Sequence, residues 1–290
     1  MTTQALDVAS VFYALDRLEK NCIGSLRLWD SETTEQARFF ILYGESRRNL
    51  EALSGIKASF SVAGSPPLVR VNVETVLDKF VRWVGGVAPK ETIYVGEKIY
   101  PAFLIKHFET HSVKGFEHPL VVIHTQTGDQ LWILMHEEPI GGMDLVELAW
   151  KVTTGPKKYS WSGHYEGVIV PKIDFALEPD LGFLAGARAP IPGGYVKISQ
   201  ATQDFKFRMN EEGARAIVHT RIRTMIVTAR LPRHLKIDKP FCGWFVQRDV
   251  PIPLAVFGAD YDSWKEPKGS LKELAGEPLS AGSRRPVRIG

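Results

Sequence analysis

Cysteine, charge imbalance and long apolar runs are all scarce in this sequence. Its 290 residues include two cysteines, Cys22 and Cys242, too few for the disulfide framework of a small secreted protein. Lysine and arginine (36) nearly balance aspartate and glutamate (33), so the formal net charge of +3 gives no reason to expect binding to nucleic acid or to an anionic membrane. No run approaches the roughly 18 apolar residues of a membrane-spanning helix.

The N-terminus also lacks the basic segment followed by an apolar segment that marks a secretory signal. We therefore expect a cytoplasmic protein, or a secreted one only if a leader was removed before residue 1. The two cysteines could pair, but each lies in an apolar, strand-like stretch. A reducing environment fits this sparse use of cysteine better than an oxidising one.

Predicted helices dominate the first third of the chain and predicted strands the rest. Hydrophobic residues make up 44% of the sequence, enough for a substantial core. Spacing and capping residues predict helices over 5–20, 30–44 (capped by Asp30 or Ser31, ended by Gly44), 46–56 and 72–84, with a strand over 21–29 and a loop over 64–68. Alternation and turn residues predict a hairpin over 120–137 and strands over 167–175, 195–210, 214–231, 241–248 and 253–259.

This order of elements predicts an α+β fold, with N-terminal helices packed on large antiparallel sheets. We expect residues 1–267 to form a single domain. Residues 268–290 are polar and basic at their end, and we expect them to form a loosely ordered extension.

The segment "RMNEEGARAIVHT" joins an acidic turn to a long strand pattern. Asn210, Glu211, Glu212 and Gly213 are turn residues. Beyond them, one face of an alternating pattern is uncharged throughout: Ala214, Ala216, Val218, Thr220, Ile222, Thr224, Ile226 and Thr228. The other face is largely polar and basic: Arg215, Ile217, His219, Arg221, Arg223, Met225 and Val227. The pattern favours either a strand paired from the start or a loop that becomes one.

The C-terminal third resembles the serpins. "VKISQATQDFKFRMNEEGARA" runs without a gap into the acidic turn, and "LKIDKPFCGWFVQRDVPIPLAVFGADYDSWKEP" follows at a similar spacing. "VIVPKIDFALEPDLGFLAGA" is similar to a serpin strand entered through a proline. Residues 8–56 resemble the first two serpin helices, and "FVRWVGG" resembles part of the helix that crosses the main sheet.

The resemblance implies a suicide-substrate protease inhibitor. A serine or cysteine protease would cleave an exposed loop, here 211–231, and the loop would insert as a new central strand of the main sheet. By this comparison the loop hinge consists of Glu211, Glu212, Gly213, Ala214, Arg215 and Ala216. The uncharged face would point into the core, where close packing leaves no room for bulk.

The scissile bond is placed differently by two counts. By the spacing found in serpins, counting forward from Glu211 puts Val227 before the bond, whereas counting back from Phe241 puts Ala229 there, beside Arg230. The candidate region is therefore Val227, Thr228, Ala229 and Arg230. Arg230 would suit a trypsin-like protease, because a guanidinium fits an acidic pocket. Val227 or Ala229 would suit an elastase-like one.

Several positions depart from the inhibitory serpin pattern. Ile217, Val218 and His219 are bulkier than the alanine-like residues of inhibitory hinges, and Gln203 stands where the family usually has a histidine. Ser25-Leu26-Arg27-Leu28 replaces a Ser-Pro pair with a second serine. The chain is also about a hundred residues shorter than a usual serpin, and we expect the shortening to lie within 57–165.

Other functions find less support in the residues. "HFETH" sets His107 and His111 four apart, on one face if helical, but this is not a zincin spacing and a third metal ligand is missing. Cys242 has no recognisable base partner. No glycine-rich phosphate loop occurs, and the basic strand lacks interleaved aromatic residues for nucleic acid.

Two functions therefore remain open. The first is a protease inhibitor that acts by loop insertion. The second is a non-inhibitory serpin-fold protein that binds or assembles with a protein partner, its loop static or already paired as a strand. Under either we expect no enzymatic activity, no cofactor, no metal and no membrane.

Overall fold

A computed structural model describes residues 3–23, 29–65, 68–77, 81–136, 140–155, 158–159, 165–191, 193–212, 233–269 and 271. Its α-helices are α1 (Val8–Leu18), α2 (Thr34–Ser46) and α3 (Gly142–Thr154). A π-helical turn, Glu19–Ile23, extends α1, and a 3-10 helix, Arg47–Ala52, follows α2. No helix within these ranges is long and apolar enough to cross a membrane.

The N-terminal helices differ in detail from their sequence-based predictions. The π-helical turn occupies the first three residues of the strand predicted over 21–29, while 24–28 lie outside the described residues. The cap of α2 is Thr33, whose hydroxyl accepts a hydrogen bond from Gln36 N at 3.2 Å, rather than Asp30 or Ser31. Gly44 does not end α2, because buried Tyr43 and Ser46 on either side of it anchor the last turn.

The strands are β1 (Gln4–Leu6), β2 (Ile56–Ser65), β3 (Leu68–Leu77), β4 (Lys90–Val95), β5 (Lys98–Ile105), β6 (Phe108–Ser112), β7 (Leu120–His124), β8 (Gln130–Met135), β9 (Lys158–Tyr159), β10 (Gly167–Pro171), β11 (Ile173–Leu177), β12 (Arg188–Ile191), β13 (Gly194–Lys197), β14 (Phe205–Met209), β15 (His234–Lys236), β16 (Phe241–Gln247) and β17 (Val250–Ala259). They form a seven-stranded antiparallel sheet in the order β1-β17-β16-β8-β7-β6-β9 and a four-stranded sheet, β15-β10-β5-β4. The pairs β11-β14, β12-β13 and β2-β3 are separate.

The predicted hairpin over 120–137 is confirmed as β7 and β8, with Gly128 at positive φ in the turn. The helix predicted over 72–84 is wrong. Residues up to Leu77 belong to β3, since β-branched residues at alternate positions favour an extended chain. In "FVRWVGG", Phe80 lies outside the described residues, and Val81 onwards is irregular rather than helical, with Trp83 forming an isolated bridge with Thr125.

Two long predicted strands are each divided in the structure. The strand over 167–175 is β10 and β11, which join different sheets on either side of Lys172. The strand over 195–210 is β13 and β14, separated by irregular backbone. The predicted loop over 64–68 is shorter, because Ser65 and Leu68 already belong to β2 and β3.

Phenylalanines join the β11-β14 pair to the seven-stranded sheet. Phe257 of β17 is fully buried, and its ring lies 4.4 Å from Phe207 of β14 and 5.9 Å from Phe175 of β11. The pair therefore packs across the large sheet through one aromatic cluster.

Gly243 of β16 directly faces this cluster, so we predict that Gly243→Ala is destabilising. A methyl group there would lie 2.5 Å from Phe257 Cζ. Phe257 has no room to move away, because other aromatic rings pack against it. We expect a loss of about 2 kcal/mol in the free energy of unfolding, measured by urea denaturation. Gly258→Ala in the adjacent strand is the control, since its nearest contact would be 3.6 Å from Ile140 O. Equal losses in both variants would contradict the prediction.

Candidate functional site

The acidic turn after β14 is held from outside by another segment of the chain. Glu212 N donates to Asn210 Oδ1 at 3.0 Å, which closes the turn. Trp83 Nε1 donates to Asn210 O at 2.9 Å, and Ala88 N donates to Glu211 O at 2.7 Å. Both hydrogen bonds fix the backbone at the point where the predicted loop begins.

Trp83 is itself rigidly placed. Its side chain is 1% exposed and stacks on Phe103 of β5 at 5.8 Å between centroids. Its carbonyl accepts a hydrogen bond from Gln126 Nε2 at 3.1 Å, beyond the end of β7. The turn therefore contacts a residue that is held between β5 of the four-stranded sheet and the turn that joins β7 to β8.

Glu211 is the electrostatic centre of the turn. Its side chain is 9% exposed and contacts two lysines: Oε2 lies 2.6 Å from Lys172 Nζ, and Oε1 lies 3.1 Å from Lys90 Nζ. Lys172, 3% exposed, also bonds the two carboxylate oxygens of Glu266 at 2.8 and 2.9 Å. Two lysines and two glutamates balance in charge, as a buried lysine requires.

The protonation of this cluster follows from its pairing. Burial raises the pKa of Glu211, but its bonds to Lys172 and Lys90 outweigh burial and hold the pKa below its usual value. The hydrogen bond to Glu211 raises the pKa of Lys90. The turn is therefore an ion-paired structure at neutral pH.

Lys172 contacts Glu211 because hydrogen bonds fix its backbone between β10 of the four-stranded sheet and β11 of the β11-β14 pair. It lies between β10 and β11, its N–H donates to Pro101 O at 2.8 Å, and its carbonyl accepts from Lys265 N at 3.1 Å. Sequence reasoning missed this residue and Trp83. The available signal was a lone lysine inside the apolar run "VIVPKIDF".

Of the predicted hinge, Glu211 and Glu212 are described. The other hinge residues, Gly213, Ala214, Arg215 and Ala216, lie outside the described residues, as do Val227, Thr228, Ala229 and Arg230 of the scissile region. The described residues continue from Arg233, whose carbonyl accepts a hydrogen bond from Glu166 N at 3.0 Å ahead of β10 and β15. The described residues nearest each end of the loop therefore lie beside the four-stranded sheet, since Lys90 of β4 contacts Glu211 and Arg233 directly precedes β15.

Two strands lead toward this site from the described part of the chain. There β14 forms ladder bonds only with β11, and β3 only with β2. Across the first pair, Arg208 Nε lies 3.1 Å from Asp174 Oδ1. β14 ends one residue before Asn210, and β3 is followed six residues later by Trp83. Both strands therefore lead toward the Trp83–Asn210 contact.

The histidines of "HFETH" lie on strand β6 and the residue before it, not on a helix. Glu109 bonds His111 Nε2 and His124 Nε2, each at 3.1 Å. No group of three His, Cys, Asp or Glu side chains suited to a metal ion occurs among the described residues. This arrangement is a hydrogen-bonded strand surface.

Both cysteines are free, so the pairing that the sequence left open is absent. Burial raises the pKa of Cys242 to about 12, which keeps it a thiol at neutral pH. The thiolate that nucleophilic catalysis needs is therefore not formed at this position.

Comparison with solved structures identifies the architecture. Thyroxine-binding globulin, in complex with thyroxine, superposes with a TM-score of 0.53 at 12% identity, over 91% of this chain and 94% of that one. Serpin-12, a serine protease inhibitor of Manduca sexta, gives 0.52 at 9% identity over 92% and 95%. Serpin48 of the insect Tenebrio molitor gives 0.50 at 12% identity over 89% and 92%.

The protein has a serpin-like fold. A scan against protein-family models finds no match, and a search of curated proteins finds no relative. At 9–12% identity the likeness concerns the fold alone. The α+β architecture expected from the sequence, few helices packed on several antiparallel sheets, is confirmed. Among these neighbours, two are named serpins and one binds thyroxine, so the serpin-like fold leaves the function to be argued from the site.

Proposed function

We propose that this serpin-like protein is a protease inhibitor that acts as a suicide substrate, with loop 211–231 cleaved and then inserted beside β14. The observation that carries this proposal is the edge of β14 away from β11, which has no ladder partner among the described residues and leads directly into a turn fixed by Trp83 and Lys172. A chain that reverses at Gly213 would run back antiparallel to β14 along that edge.

The chemistry of the loop suits this edge. Phe205, Phe207 and Met209 of β14 are buried at alternate positions and define its core side. In the loop, the small or β-branched uncharged face that begins at Ala214 matches this core side, while the basic face would remain in solvent. An inserted strand could thus bury its apolar face without burying charge.

Inhibition would proceed by an interrupted acyl transfer. The protease serine or cysteine attacks the carbonyl before the scissile bond, the peptide C–N bond breaks, and the amine of the following residue takes a proton and leaves. An ester or thioester then joins the loop to the protease. Insertion of the loop carries the protease away and distorts its active site before water can hydrolyse that bond.

Covalent capture tests the proposal and the protease class together. With excess trypsin-like or elastase-like protease, we expect a denaturant-resistant complex, seen on gels as the 32.4 kDa chain increased by the mass of the protease and lacking its C-terminal fragment. Arg230→Ala should abolish capture of trypsin if Arg230 is the specificity residue, whereas Val227→Arg and Ala229→Arg test the alternative bonds. Cleavage of every loop bond without capture by either class would overturn the inhibitory proposal. It would instead favour a non-inhibitory binding or assembly protein.

A further inference from the structure

Residues 265–268 lie after β17 and against the bend between β10 and β11. Lys265 N donates to Lys172 O at 3.1 Å, which binds the segment to the bend through main chain. Lys268 N donates to Asp174 Oδ2 at 2.8 Å, which binds it to a side chain of β11. The segment is therefore attached to the strand that pairs with β14.

Glu266 connects this segment to the loop turn through Lys172. Lys172 Nζ donates to both carboxylate oxygens of Glu266, at 2.8 and 2.9 Å, and lies 2.6 Å from Glu211 Oε2. The side chain of Lys172 is 3% exposed, whereas that of Glu266 is 62% exposed. One buried ammonium thus joins a carboxylate of the loop turn to a carboxylate of segment 265–268, and Glu266 is the partner that faces solvent.

Asp174 makes a second connection, to β14 itself. Its Oδ2 binds Lys268 N, and its Oδ1 lies 3.1 Å from Arg208 Nε across the β11-β14 pair. Asp174 and Arg208 are 8% and 9% exposed. A single carboxylate therefore contacts both the C-terminal segment and the strand that leads into the loop turn.

Loss of Glu266 would weaken the hold on the turn rather than strengthen it. Lys172 Nζ already lies at contact distance from Glu211, so removal of the second carboxylate cannot shorten that pair. It would instead leave a buried ammonium without full compensation and favour its movement toward water. Water that reaches an ion pair screens it and reduces its strength.

We propose that Glu266 and the main-chain N–H of Lys268 are positioning groups for the loop. They complete the partners of Lys172 and Asp174, so the turn at Glu211 loosens when segment 265–268 detaches. The C-terminal end of the fold thereby sets how firmly the start of the loop is held. What a loosened turn leads to, faster insertion beside β14, rests on the proposed function.

The amide of Ala88 reports on the turn, because it donates to Glu211 O at 2.7 Å. In the intact protein we expect Glu266→Gln and Lys268→Pro each to speed hydrogen exchange of this amide about tenfold, since each removes one connection. Lys268→Pro removes the N–H that Asp174 binds. Lys268→Met changes only the side chain and is the matched control, expected to exchange like the wild type. Equal exchange in the two Lys268 variants, or unchanged exchange in Glu266→Gln, would overturn the positioning role.

A background without the buried pair separates positioning from general stabilisation. In the double variant Lys172→Met, Glu211→Met, we expect Glu266→Gln to have little further effect on exchange at Ala88, because its route to the turn is gone. Lys268→Pro should still speed exchange there, because it acts through Asp174. Loss of both effects, or of neither, would contradict the two separate connections.

The rate at which cleaved protein gains thermal stability tests the consequence for the loop. After cleavage confined to the loop, verified by mass spectrometry, we expect Glu266→Gln and Lys268→Pro to gain stability sooner than the wild type and Lys268→Met to match it. If the cleaved wild type never gains stability, the proposed insertion is wrong, and exchange at Ala88 alone decides the positioning role. If the wild type gains stability and the variants do so at the same rate, segment 265–268 does not control release of the loop.

Discussion

Cleavage between Glu212 and Arg233 is expected to raise the thermal stability of the protein. Trypsin can cut at Arg221, Arg223 or Arg230, which would free the loop to pair with β14 as the proposed function requires. A net gain of about 5 kcal/mol from the new ladder and buried face corresponds to a rise in Tm of about 8 °C for a chain of this size. Thermal unfolding of intact and nicked protein, followed by circular dichroism, measures the difference.

Variants on opposite faces of the loop sharpen this test. Val218→Glu places a carboxylate on the uncharged face, where insertion would bury it without a partner, and should abolish the rise in Tm. His219→Glu places the same charge on the face expected to stay in solvent and should preserve the rise. Equal behaviour of the two variants would mean that no face of the segment is buried on cleavage. An unchanged Tm in the nicked wild type would favour a non-inhibitory binding or assembly function.

Lys172→Met is expected to be among the most destabilising single changes in the intact protein. It leaves Glu211 buried without its nearest cation, and removal of one partner from a buried pair typically costs about 3–5 kcal/mol. Urea unfolding at neutral pH measures this loss. Adding Glu211→Met should recover part of it, since the uncompensated charge is then gone.

Lys90→Met is the matched control for that prediction. Lys90 contacts the other oxygen of Glu211, but its side chain is 74% exposed, so the pair is screened by solvent and contributes about 0–1 kcal/mol. If the two lysine variants lose the same stability, Lys172 does not anchor the turn. The proposed function would then lose its fixed starting point for insertion.

The local pattern of the sequence was sufficient to predict much of the fold. The hairpin of β7 and β8 follows from two β-rich runs around a Gly-Asp turn, and α1 from the spacing of its apolar residues. Where two periodicities competed, the prediction failed. The stretch ending at Leu77 supports helical spacing as well as alternation, and its antiparallel pairing with β2 decides for the strand.

The candidate site, like the fold, could be predicted from the sequence only in part. Local sequence was enough to predict the acidic turn at Glu211 and Glu212 and the uncharged face that starts at Ala214, because turn chemistry and strand alternation are properties of neighbouring residues. Tertiary packing alone brings Lys172 to Glu211 and Trp83 to Asn210. These partners are far apart along the chain, and a buried charge or amide is satisfied by whichever group the packing of sheets and helices brings within hydrogen-bonding distance.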